Sequence, residues 1–238
     1  MPALPCPPTT GMPEARLRDV PSIPAPPRDC PLCPRLVAFR QRWRALEPGW
    51  HNAPVPSFGP ASAPLLIVGL APGLRGANRT GRPFTGDYAG DLLYATLLDF
   101  GFAEGAYRMH PEDGLVLTGA RIVNAVRCVP PENKPTGTEI ATCRGFLAAE
   151  IAALPDLRAI VALGRIAHES TVAALGAVRA RHLFGHGKAQ DVGPVRLFSS
   201  YHCSRYNTNT GVLTEAMFRD VFAAVRDWLD RTPAGAGR

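Results

Sequence analysis

Lysine is almost missing from this chain: of its 26 Lys and Arg residues, only Lys134 and Lys188 are lysine. Acids are also in short supply, 20 against those 26, which leaves a net charge of +6. A surplus made of arginine suits phosphate recognition, because the guanidinium fork matches phosphate oxygens. A GC-rich genome, suggested by the Ala, Arg, Gly and Pro bias, gives the same surplus without any such role. No apolar run approaches the roughly 20 residues of a membrane-spanning helix, so a helical span is excluded. Residues 1–8 have neither a basic start nor an apolar stretch of leader type, and the expectation is a soluble cytoplasmic protein with no membrane partner. Core-forming residues are scarce in the Pro-rich first 29 positions. The expected organisation is a loosely attached tail over 1–27, one domain over 28–232 and a short tail over 233–238.

Strand and helix signals alternate through that domain. Leu65–Leu70, Arg121–Val126, Ala159–Leu163 and Val195–Ser199 are short apolar runs of the kind buried in parallel sheets. Leu36–Leu46, Asp91–Phe100 and Leu213–Leu229 have helical spacing. Thr136 and Glu139 form a capping-box pattern that opens a helix to about Leu154, and Gly164-Arg165 leads into another to about Leu175. The pattern predicts an α/β fold, a three-layer αβα sandwich around a four-stranded parallel sheet. Ligands of such sheets bind beyond the carboxyl ends of the strands. Gly69–Gly73, Asn124, Gly164-Arg165 and Ser200-Tyr-His202 all fall there.

The stretch Gly69–Asp87 contains five glycines and three arginines but a single acid, Asp87, and a single aromatic, Phe84. Such a loop turns sharply and lets backbone approach a ligand. Of the six cysteines, at 6, 30, 33, 128, 143 and 203, only Cys30 and Cys33 form a close pair. Four thiolates can hold zinc or an iron–sulfur cluster, but structural zinc usually draws on two close pairs, and spacing leaves the metal open. Cys6 sits in the tail, and Cys203 reads as a packing thiol.

Taken in order, Cys30-x2-Cys33, Gly69-Leu-Ala-Pro-Gly73, Gly81-Arg-Pro-Phe-Thr-Gly-Asp87, Asn124-Ala-Val-Arg-Cys128, Cys143, Ala162-Leu-Gly164 and Ser200-Tyr-His202 resemble the iron–sulfur uracil-DNA glycosylases. More specifically they resemble the family 5 (type b) branch, and the likeness runs over about residues 28–230. It implies the uracil-DNA glycosylase fold, a [4Fe–4S] cluster on Cys30, Cys33, Cys128 and Cys143, and base-excision repair as a monomer on damaged double- or single-stranded DNA. Most relatives carry Asp, Asn or Glu where this chain has Ala71, as type b does, so the usual water-activating group is missing there. The resemblance also implies activity on hypoxanthine, xanthine and ethenocytosine.

Cleaving an N-glycosidic bond requires stabilising an anionic leaving base and a cationic sugar while water attacks. The expected roles follow from that chemistry. His202 donates to the base oxygen, and Asp87 orients water and offsets the sugar charge, unless it is only a helix cap. Asn124 reads the base edge, Phe84 stacks on the base, and Gly69, Leu70, Ala71 and Gly73 shape the pocket with backbone. Arg75, Arg79, Arg82 and Arg127 are candidate phosphate contacts. The acid-free segment 204–211 is expected to be a flexible loop that tracks the DNA, with Arg205 and Tyr206 closest. Neither lysine is placed for Schiff-base lyase chemistry. The alternative reading is a zinc-bound nucleic-acid-binding module without catalysis.

Overall fold

The computed structural model describes residues 24–231. Most of the expected N-terminal tail, Cys6 and the whole of the expected C-terminal tail lie outside the described residues.

Helix α1 (Pro34–Leu46) starts directly after the Cys30–Cys33 turn, with proline in its first turn, where a missing N–H costs no hydrogen bond. Strand β1 (Leu65–Gly69) follows an irregular segment. Next come the short helix α2 (Ala77–Thr80), helix α3 (Tyr88–Asp99) and a small antiparallel pair, β2 (Ala103–Glu104) with β3 (Val116–Leu117). The remaining elements are β4 (Ala120–Asn124), α4 (Gly137–Ala152), β5 (Ala159–Leu163), α5 (Arg165–Ala174), β6 (Ala189–Val192), β7 (Val195–Ser200), α6 (Arg205–Asn209) and α7 (Glu215–Arg231).

The main sheet runs β4-β1-β5-β7-β6. The four expected strands are parallel, with Gly69 beside Asn124 and Leu163 beside Ser200 at their carboxyl ends. The expectation of four strands is corrected to five: β6 adds to the edge, antiparallel to β7. The segment 204–211 is corrected too. It contains α6, whose first turn is capped by the Ser204 side chain accepting from Asn207 N.

Alternate residues of each central strand face opposite layers. Leu65, Ile67, Ile122 and Val161 pack against α3 and α7, whereas Leu66, Val68, Val123 and Ile160 pack under α4 and α5. Burial on both faces explains why these strands read as unbroken apolar runs. Each such side chain contributes about 1.5–3 kcal/mol through removal from water. The capping box forms as expected: Glu139 N donates to Thr136 Oγ1 at 3.3 Å and Thr136 N to Glu139 Oε2 at 2.8 Å. Glu139 also accepts two hydrogen bonds from Arg35, which ties α1 to the start of α4.

After β1 the chain crosses to β4 on one side and then to β5 on the other. The loops at the ends of β1, β4 and β5 therefore diverge around a crevice, the usual place for a ligand in an open α/β sheet.

Candidate active site

At the end of β1 the chain needs glycine for space. A Cβ on Gly69 would overlap the Asn124 side-chain oxygen and lie 2.7 Å from Phe84 Cζ. One on Gly73 would lie 2.9 Å from Asp87 Oδ2. The bare backbone thus lets an amide, an aromatic ring and a carboxylate converge. Ala71, Gly73, Phe84, Asp87, Asn124 and His202 line one cavity.

Asp87 occupies the N-cap position of α3, yet its side chain makes no capping hydrogen bond. Its Oδ1 is buried without a partner among the described residues. Burial raises its pKa, and the nearby amides of Gly90 and Ala89 pull it only part of the way back. A carboxylate with a free buried oxygen beside a cavity is available for other work.

His202 follows β7, and Asn207 Nδ2 donates to its carbonyl at 2.8 Å, which fixes the backbone there. Its ring lies 5.9 Å from that of Phe84, tilted by 24°. Burial lowers its pKa to about 4, so the imidazole is neutral at pH 7 and carries one N–H donor. Asn124 is 3% exposed at the end of β4 and Phe84 is 6% exposed, so both are built into the cavity wall rather than draped over it. Leu70 lines the groove outside.

That groove opens from the cavity and shares Ala71, Gly73, Asp87, Ala89 and His202 with it. Arg75, Arg165 and Arg205 line it, reaching in from the ends of β1, β5 and β7. The Arg205 guanidinium sits 5.2 Å from the Tyr88 ring, and Tyr206 beyond it is 74% exposed. Arg79 is exposed with its guanidinium beside Gly86, away from the groove lining.

Two expected phosphate contacts are corrected. Arg82 is 5% exposed and is held by Asp113 at 2.8 and 2.7 Å, with the rings of Phe58, Tyr94 and Tyr107 within 5.8 Å. Burial pushes the Asp113 carboxyl up, but Arg82 and the amides of Arg108 and Leu115 more than reverse this, leaving it well below the usual range. Arg127 is 1% exposed and bonds Glu150 at 2.6 Å. Both guanidinium groups have partners inside the protein and do not reach solvent.

Cys30, Cys33, Cys128 and Cys143 line a second cavity with Leu36, Val126 and Phe146, between α1 and α4. Arg127 N donates to Cys143 Sγ at 3.3 Å, and Arg40 Nη1 to Cys128 Sγ at 3.6 Å. Burial pushes the Cys128 thiol up to about 12, so it holds its proton unless a cation takes the charge. Arg40 was not singled out by sequence. It is 3% exposed, and among the described residues no carboxylate forms an ion pair with it. A buried cation needs partners, and Arg40 finds the Cys128 sulfur and, through Nη2, the Cys30 carbonyl at 3.1 Å. Cys203 is fully buried, its Sγ 3.4 Å from the Ala89 carbonyl oxygen, as expected of a packing thiol.

A family model described as the Uracil DNA glycosylase superfamily matches residues 56–226. The chain is 47% identical to the type-5 uracil-DNA glycosylase of Thermus thermophilus over 81% of its own length and 90% of that protein's. It is 38% identical to the type-5 uracil-DNA glycosylase of Pyrobaculum aerophilum, covering 88% of this chain and 90% of that one. A type-4 uracil-DNA glycosylase from the same archaeon is 33% identical over 63% of this chain and 62% of the relative.

Proposed function

The chain belongs to the uracil DNA glycosylase superfamily, and we propose that it is a monofunctional uracil-DNA glycosylase. The observation that carries this reading is the cavity in which a carboxylate, an amide, an aromatic ring and a neutral imidazole meet. Damaged DNA, double- or single-stranded, lies along the groove with Arg75 and Arg205 on its phosphates, and one nucleotide turns out of the stack into the cavity, at a cost of a few kcal/mol. Phe84 stacks on the flipped base. The Asn124 amide, which both donates and accepts, meets the lactam edge.

As the glycosidic bond lengthens, electrons flow into the base. His202 donates its N–H to the oxygen where negative charge accumulates, and because it is neutral the bond strengthens as the charge develops. Asp87 faces the other charge. Its carboxylate offsets the cationic sugar and orients the water that attacks the anomeric carbon. Ala71 offers no carboxylate or amide of its own, which leaves Asp87 as the acid in the cavity wall. The small side chain also leaves room at that wall, and the substrate range extends to hypoxanthine, xanthine and ethenocytosine.

Cys30, Cys33, Cys128 and Cys143 would hold a [4Fe–4S] cluster. What supports this is that the four cysteines line one cavity, with Arg127 N donating to Cys143 Sγ and the buried Arg40 guanidinium to Cys128 Sγ. When bound there, a cluster would tie the turn before α1 covalently to the Cys128–Cys143 segment.

The test is base release from oligonucleotides carrying uracil, hypoxanthine, xanthine or ethenocytosine, with free deoxyuridine as control. Release of uracil from DNA, without strand cleavage and without turnover of deoxyuridine, is expected. No release from any oligonucleotide would overturn the reading in favour of a binding module.

A further inference from the structure

Phe84 has a backbone that an aromatic residue seldom adopts, with φ at +52°. Left-handed geometry in a bulky residue persists only where its surroundings over-determine it. Here they do. Tyr107, in the segment between β2 and β3, donates its hydroxyl to the Phe84 carbonyl at 3.1 Å. Tyr94 of α3 donates to the adjacent Pro83 carbonyl at 2.5 Å. Gly90 of α3 completes the enclosure, because a Cβ there would strike both the Phe84 carbonyl and the Tyr107 hydroxyl.

The two tyrosines differ. Tyr94 is fully buried in the main core. Tyr107 is only half-buried, packs its ring 4.6 Å from that of Tyr94, and lies under the Arg82 guanidinium at 5.8 Å. Asp113 holds that guanidinium in turn. Tyr107 does not line the cavity. Its hydroxyl reaches the site through the Phe84 carbonyl, on the residue whose ring forms the cavity wall, with the Gly86 amide facing the hydroxyl oxygen.

We propose that Tyr107 is a positioning residue for base stacking: its hydroxyl holds Phe84 in the left-handed backbone that aims the ring into the cavity. The segment between β2 and β3, which contributes no cavity-lining residue, thereby governs the rate of base release. This inference rests on the glycosylase reading above. The bond to be tested joins a hydroxyl to a carbonyl, and the ring packing survives its removal.

The experiment is a double-substitution cycle on the full chain. Tyr107→Phe deletes one oxygen and should lower the saturating single-turnover rate on uracil-containing duplex by about three- to tenfold, the range expected for one hydrogen bond. Affinity for a duplex with uncleavable 2′-fluorodeoxyuridine should stay within about twofold, because the bond sets ring aim and not phosphate contact. In a Phe84→Leu background the same substitution should change the rate by less than about twofold, since no ring remains to be aimed. A merely structural hydroxyl would give equal losses in both backgrounds, or a melting-point drop with no rate change, and either result overturns the proposal. An unaltered rate in the parent background does so as well. Failure of the parent protein to release any base is a different outcome, which removes the glycosylase reading itself.

Discussion

Replacing Asp87 by asparagine should reduce activity and raise stability together. The carboxylate has a buried oxygen without a partner, an Oδ2 packed against Gly73 and Gly76, and no ion pair among the described residues. Burial raises its pKa. An unsatisfied buried polar group costs about 1–3 kcal/mol. Asparagine removes the charge but keeps a polar oxygen in place, so the gain should be near the lower end, ~1 kcal/mol, or about 2–4 °C in Tm for a domain of this size. The sign depends on pH. A folded-state pKa raised above the unfolded one means that ionisation opposes folding. The stabilising contribution of the protonated form is complete below the ordinary carboxylate value near 3.9 and is lost as pH rises through the raised folded value. The stability gap between variant and parent should therefore be open at pH 7 and close as the pH falls towards about 4. Thermal melts across that range check the gap, and single-turnover base release should fall by about 10²–10⁴. A variant that melts below the parent at pH 7, or a gap indifferent to pH, would refute the buried-charge account. Unchanged turnover would remove Asp87 from the chemistry.

His202→Ala should slow cleavage by about 10²–10³ while leaving DNA affinity intact, as loss of one donor to developing charge does; stopped-flow or quench measurements of base release check it. Arg82→Met should destabilise the fold by about 3–5 kcal/mol by stranding Asp113, and in denaturant titrations this should exceed any effect of Arg75→Ala. Arg75→Ala should instead reduce the slope of log affinity against log salt by about one, a change not expected of Arg82. Cys143→Ala should lower iron content and melting temperature together, read from iron analysis and visible absorbance; parental iron content would mean that another group is the fourth ligand.

The four parallel strands were legible because burial on both faces leaves nothing but apolar residues in them. β6 was not, because Ala-Gln-Asp-Val at a half-exposed edge carries no such run and takes its conformation from β7. Asp87, Asn124, Phe84 and His202 could be singled out as polar or aromatic exceptions at strand ends, and the sheet brings them to one cavity. Arg82 could not be read correctly. It lies in a glycine-rich loop that looks exposed, and its partner Asp113 is 31 residues away, beyond the reach of any local pattern. Arg40 carries no local signal either; only the packing of α1 turns it towards Cys128. Segment 204–211 read as flexible because Ser, Thr and Asn favour loops. There the same side chains bond back onto the chain, as Thr210 Oγ1 does to the Tyr206 carbonyl at 2.7 Å, within and beside one short helical turn.

The strand-order switch around β1 has a mechanical consequence. Asn124 and His202 stand at or just beyond the ends of β4 and β7 of one sheet, and Asp87 and Phe84 are wedged against the backbone at the end of β1 and after it. Bringing these four groups together therefore needs no closing motion, because the fold alone already sets them around one cavity.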